Sequence, residues 1–235
     1  MSDPFFRRHL SRTPVILLAL LILLAFPGMS VQAAGFSDSW PYKAEQMEAR
    51  QVVVVEAAER SSQSGVLSLR EKRGGQWVAL LSGIPVSLGK GGLGKTKEGD
   101  GRTPSGVFRL GHAFGFAAQP AGLRLPYTRT SPTDFWVDDP ASPDYNTWIS
   151  YSGNPQQRWS SYEALQHPLY KYAVTVSYNT NPVIPGKGSA IFLHLWRGPG
   201  QPTAGCIAMS EPDLLRLMQA LDPGLSPAIA IGIAD

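Results

Sequence analysis

The sequence predicts a mainly β protein: a sandwich of mixed or antiparallel sheets with a few short helices and a loop-rich insertion. Short runs of alternating or β-branched residues recur between residues 52 and 87 and again after residue 170. Glycine and proline, 24 and 20 of 235 residues, punctuate these runs too often for long helices. Only 41–50 and 210–221 read as helices.

In chain order, residues 1–33 read as an export signal. Arg7, Arg8 and Arg12 form a basic start and 15–26 an apolar run, and Val31 and Ala33 suit a cut after Ala33. The rival reading is an uncleaved anchor, for which 15–26 is short against the roughly 20 residues a span needs. Either way the working domain lies outside the cytoplasm, in the periplasm or cell envelope. Removing Arg7, Arg8, Arg12 and Asp3 subtracts a net +2 from the whole chain's +3, leaving about +1. So weak a field excludes a nucleic-acid partner.

A helical lead-in spans 34–50, and a single domain spans 51–235. Val52 to Val55 open a strand, and hairpins follow to residue 87. Residues 111–168 form the insertion. Its rings, Tyr127, Trp136, Tyr145 and Trp148 among them, either wall a substrate groove or form a satellite core. Residues 170–179 and 189–196 read as strands. Ser210 can cap a helix with Asp213 three residues on, and Leu214, Leu217, Met218 and Leu221 repeat at helical spacing. Residues 228–233 close the chain as a buried strand.

Residues 89–96, "GKGGLGKT", match the phosphate-loop pattern G-x-x-x-x-G-K-[ST]. That pattern needs a helix directly after its Lys-Thr pair. Here Gly99, Gly101, Pro104 and Gly106 forbid one. The stretch is read as a glycine-rich turn, with Lys95 and Lys97 as solvated loop charges or contacts for an acidic ligand. No nucleotide is expected.

Cys206 is the sole cysteine, so no internal disulfide exists. His194 falls within a strand on the face of Phe192 and Trp196, while Ile191, Leu193 and Leu195 face the core. A Gly/Pro-rich loop returns the chain at Gly205 and Cys206. Such a return can bring sulfur beside imidazole, where the imidazole takes the thiol proton. Gly205 would admit a substrate carbonyl, and nearby amides would hold an oxyanion. The competing reading is a small buried hydrophobe beside a structural histidine. Four histidines without paired spacing predict no metal, His112 and His167 being structural.

His194, Gly205, Cys206 and Ile207, with Thr203 at a serine position, resemble the catalytic signature of the bacterial L,D-transpeptidases. Residues 99–111, "GDGRTPSGVFRLG", are similar to that family's R-T-P-x-G-x-F segment, and "YN…GKGSAIFLH" to one of its branches. The resemblance covers roughly 52–233. It implies an L,D-transpeptidase-like β-sandwich and a Cys206 nucleophile with His194 as base. The implied partners are peptidoglycan stem peptides, with no metal or cofactor. Ala204 and Ala208 depart from the pattern, standing where a histidine and an arginine or asparagine are usual. Arg197, Thr203, Trp196, Asn179, Trp136 and Tyr127 are the expected substrate-binding residues, Arg197 toward a stem carboxylate. Three outcomes stay open: cross-link formation, hydrolysis by the same Cys-His site as an L,D-carboxypeptidase or other peptidoglycan peptide hydrolase, and an envelope-binding module with an inert thiol. The expected state is a monomer.

Overall fold

The computed structural model describes residues 35–235, so the reading of 1–33 as a leader lies outside the described residues. Among the described residues no helix is long and apolar enough to cross a membrane.

Helix α1 (Phe36–Gln46) begins before the expected 41. Its cap comes from the far end of the chain. The Asp235 carboxylate accepts from the Phe36 and Ser37 amides at 2.6 and 2.9 Å. A carboxylate at a helix N-terminus satisfies orphan donors and suits the helix dipole. Trp40 and Ala44 then bury against Val52, Val54, Ala228 and Ala230.

Strands β1 (Gln51–Ala57), β2 (Ser64–Arg73) and β3 (Gln76–Ser87) form the expected antiparallel meander. Strand β4 (Gly106–Gly115) holds the layers together. Its first half pairs with the closing strand, and its second half with the strand at Ala173–Val176. After β5 (Tyr127–Arg129) come the insertion strands β6 (Asp134–Val137), β7 (Thr147–Ser150) and β8 (Tyr162–Ala164). Then follow β9 (Ala173–Val176), β10 (Phe192–Leu195), β11 (Ile207–Met209), helix α2 (Glu211–Ala220) and β12 (Ala228–Ile233).

The main sheet has the order β12-β1-β2-β3-β11-β10-β9-β4-β5, and β12 pairs with β4 as well. Eight strands therefore close on themselves, with β5 attached outside the ring. The fold is mainly β with mixed sheets, as the sequence predicts. The two expected layers are one continuous sheet, because β4 is long enough to belong to both.

Alternation sorts the side chains. Val53, Val55, Leu67, Leu69, Leu193, Leu195, Ile207, Met209, Ile229 and Ile231 fill the interior. Helix α2 covers it with Leu214, Leu217, Met218 and Leu221. Burying each such side chain is worth about 1.5–3 kcal/mol. Ser210 caps α2 as predicted, its hydroxyl accepting from the Asp213 amide at 3.2 Å.

The insertion contains its own three-stranded sheet, ordered β7-β6-β8. Phe135, Val137 and Trp159 form its core, with Ile149, Tyr151 and Tyr162 against them. Its aromatic richness thus serves packing in the first place, the satellite-core alternative of the sequence reading.

Candidate active site

Strands β10 and β11 run parallel, pairing Leu193 with Ile207 and His194 with Ala208. Register then fixes which side chains share a face. Leu193 and Ile207 enter the core, while Phe192, His194, Ala208 and Cys206 turn outward. Cys206 and His194 become diagonal neighbours on one sheet face. Both are buried, and both line a cavity of about 280 Å³. Its walls include Glu163, Tyr170, Trp196, Arg197, Thr203 and Ala204.

The orienting group for His194 is backbone. Nδ1 lies 2.7 Å from the Leu195 carbonyl. A carbonyl only accepts, so Nδ1 carries the proton and Nε2 keeps a free lone pair. The Tyr170 ring stands edge-on to the imidazole. Burial pushes the His194 pKa down to about 4, against which the Leu195 hydrogen bond works. At neutral pH the ring is an uncharged base.

The thiol is held just as specifically. Cys206 Sγ donates to the Ala190 carbonyl at 3.2 Å and accepts from the Phe192 amide at 3.4 Å. Ala190 occupies left-handed backbone, φ +53°, which is uncommon for a residue with a side chain. Its amide donates to Asn146 Oδ1 at 3.2 Å, and that anchor holds the carbonyl toward the sulfur. Burial, and then the Glu163 carboxylate, push the thiol pKa up. Among the described residues no hydrogen bond joins Sγ to the imidazole. The resting pair is a neutral thiol beside a neutral base, and proton transfer requires the thiol to turn from Ala190 toward Nε2.

Gly205 has a different task from the one expected. Its φ is +148°, and a Cβ there would stand 2.8 Å from the Arg102 carbonyl oxygen. The glycine admits the close approach of the 88–105 segment. Its amide donates to Thr203 Oγ1 at 3.1 Å, so it is no oxyanion donor. The Cys206 amide has no acceptor among the described residues. Thr203 also donates from Oγ1 to the Cys206 carbonyl at 2.7 Å. The Thr203 and Lys90 amides staple the loop to 88–90 through Leu88 and Thr203 carbonyls, at 2.8 and 2.9 Å.

The "GKGGLGKT" stretch is part of that scaffold. Lys95 is no solvated charge, for its ammonium is buried 3.1 Å from Asp100. Asp100 accepts from the Thr96, Lys97 and Arg102 amides as well. Burial opposes its ionisation, yet these bonds bring the pKa down to about 2.

Of the expected binding residues, Trp196, Arg197 and Thr203 line the cavity, and Arg197 is exposed with no side-chain partner among the described residues. Three are elsewhere. Asn179 spends its amide on its own loop, donating to the Ile184 and Gly188 carbonyls at 2.9 Å each. Tyr127 donates to the Ala117 carbonyl at 2.9 Å. Trp136 packs edge-on against Phe192, behind the cysteine, and donates to Asn146 at 3.0 Å. His112 faces Thr128 and Trp148. His167 caps the 3-10 turn Pro168–Tyr170 through Nδ1 and reaches the cavity rim. Sequence reasoning passed over Glu163, Tyr170 and Ala190. A lone acid in the aromatic stretch "SYEAL" was the one signal for Glu163.

The closed mixed sheet thus carries a histidine on β10 and a cysteine immediately before β11, both on the wall of one cavity. The family model YkuD, the L,D-transpeptidase catalytic domain, matches residues 52–229, and the chain belongs to this family. No curated protein matches it. Among solved structures it is similar to the helical cell shape determining protein Pgp2 from Campylobacter jejuni, with 16% identity and a TM-score of 0.42 over 79% of this chain. It is similar also to Bd1075 from Bdellovibrio bacteriovorus, with 17% identity and a TM-score of 0.41 over 79% of this chain. The match spans 48% of each of those chains, about half their length.

Proposed function

We propose that the protein is a cell-envelope acyltransferase acting on peptidoglycan stem peptides through a Cys206 thioester. The reading rests on one observation: Cys206 and the unprotonated Nε2 side of His194 share a cavity, and the sheet fixes them there. Sγ attacks the carbonyl carbon of the donor residue while its proton passes to Nε2. The carbonyl electrons move to oxygen, for which the unpaired Cys206 amide is a candidate donor. The C–N bond then breaks, His194 returns the proton to the departing amine, and a thioester remains. An amine from a second stem attacks the thioester, loses its proton to His194, and expels the sulfur.

Arg197 at the cavity rim supplies positive charge toward a stem carboxylate. Ala204 and Ala208 leave the walls bare where the family pattern carries larger polar groups. The cavity's 280 Å³ is at the small end for ligand sites. That size favours a second reading in which water, needing less room than a second stem, resolves the thioester. Incubating the protein with disaccharide-tetrapeptides and reading the products by mass spectrometry separates the two. Dimers indicate transfer, and tripeptides alone indicate hydrolysis. Absence of both, with no mass added at Cys206, rejects the enzyme and leaves the binding module.

A further inference from the structure

The cavity contains one ionisable group that this mechanism does not use. Glu163, on β8, lines the same walls as Cys206, His194 and Arg197. Its Oε2 accepts a short hydrogen bond from the Tyr170 hydroxyl. Tyr170 is buried, its ring edge-on to both His194 and Phe192, so the carboxyl is fixed in place. Oε1 has no protein partner among the described residues, and no Lys or Arg nitrogen there lies within ion-pair distance of Glu163. The nearby carboxylates of Asp138 and Glu98 add to its cost. Glu163 is half-buried on the cavity wall, so its free oxygen faces the space a ligand would fill, and a purely structural acceptor for Tyr170 could have been a glutamine.

We propose that Glu163 is a specificity-determining residue that receives a free side-chain ammonium on the donor residue of the substrate. This rests on the reading of the cavity as the acyl-donor site. The ligand class is a stem peptide whose third residue is a diamino acid with an unblocked terminal amine. Glu163 takes the ammonium, and Arg197, at the same cavity, takes a carboxylate. A donor carrying both groups satisfies both, whereas one with a blocked amine leaves Glu163 unpaired. A site whose polar group is left unpaired by the wrong ligand discriminates for this reason. The pairing also serves the chemistry. Glu163 in its ionised form opposes thiolate formation at Cys206, and an arriving ammonium cancels that charge.

The test uses two tetrapeptides, one with a free side-chain amine and one acetylated there. Binding to Cys206→Ala protein is measured by isothermal titration calorimetry, with and without Glu163→Gln. With Glu163 present, acetylation should weaken binding tenfold or more. With Glu163→Gln added, the two peptides should bind within about twofold of each other. Equal binding with Glu163 in place overturns the proposal, as does binding of neither peptide. So does a tenfold preference that survives Glu163→Gln. The first comparison needs no change at Glu163, so a folding defect in that variant cannot mask the answer. Thioester formation by the unsubstituted protein is read separately. If it is absent while the amine preference persists, the acyl-transfer reading falls and the recognition stands.

Discussion

The ring of Tyr170 stands 5.3 Å from the imidazole of His194 at an interplanar angle of 84°, while its hydroxyl binds Glu163. One buried side chain thus touches both the base and the carboxyl group that shares its cavity. The electrostatics of the two ends differ. The imidazole is held neutral by burial, and the carboxyl titrates near neutrality, at about 7.

The acid limb of kcat/KM follows from the first of these. With the free-enzyme pKa of His194 at about 4, activity should persist well below pH 6.5 and fall only toward pH 4. Meanwhile the thiol is protonated and bonded to Ala190, so alkylation of the resting protein by iodoacetamide should be slow near neutral pH and climb into the alkaline range. This departs from the fast labelling that a preformed thiolate would give. A pH profile of turnover and of labelling checks both, and a plateau of labelling below pH 7 would count against the neutral pair.

Stability should respond to pH through Glu163 with a definite sign. Burial, helped by Asp138 and Glu98 and opposed by the Tyr170 bond, raises its folded pKa from 4.5 to about 7. The folded state binds this proton more tightly, so the contribution is full below pH 4.5 and lost as pH rises through 7. Glu163→Gln removes that loss. Relative to the parent it should gain on the order of 2 kcal/mol between pH 4.5 and pH 8. His194 has the opposite slope, losing stability as pH falls from 6.5 toward 4, and it cancels in the difference. Urea titrations of both proteins at the two pH values give the comparison; a constant difference rules the effect out.

Gly205→Ala should cost about 1–3 kcal/mol and most of the turnover. The new Cβ meets the Arg102 carbonyl at 2.8 Å, and backbone must shift next to Cys206. Thermal melting and a single-turnover assay would show the two losses together. Normal stability and turnover would mean that the 88–105 segment yields freely.

Asp100→Ala should destabilise by about 3 kcal/mol or more, because it leaves the Lys95 ammonium buried without its partner. Three loop amides lose their acceptor as well. Because Asp100 anchors Arg102, whose carbonyl packs on Gly205, turnover per folded molecule should fall as well. Denaturant unfolding beside an active-site titration separates these quantities.

Much of this was legible in the sequence where the signal is local. Strand β1, the Ser210 cap and the two faces of β10 follow from propensity and alternation. The residues that depend on distant partners were not legible. Asp235 caps a helix at the other end of the chain, and β4 belongs to two layers at once. Strands β6, β7 and β8 are too short for their periodicity to register. Lys95 looked solvated because its partner, Asp100, reaches it only after the loop folds. Asn179, Tyr127 and Trp136 carry groups suited to binding, but each has its polar atoms occupied by its own surroundings. Glu163 and Tyr170 are seven residues apart with no periodic relation; the insertion's small sheet brings the first to the cavity and the Pro168–Tyr170 turn the second.

The parallel pairing of β10 with β11 has one further consequence. The imidazole is on a rung of this ladder and the sulfur sits one residue before its first rung, inside a closed ring of strands. They cannot drift apart by the swing of a lid or the opening of a hinge. Heat inactivation should therefore track the loss of the sheet itself, and engineering that stiffens the ring should prolong working life at high temperature without retuning the reaction.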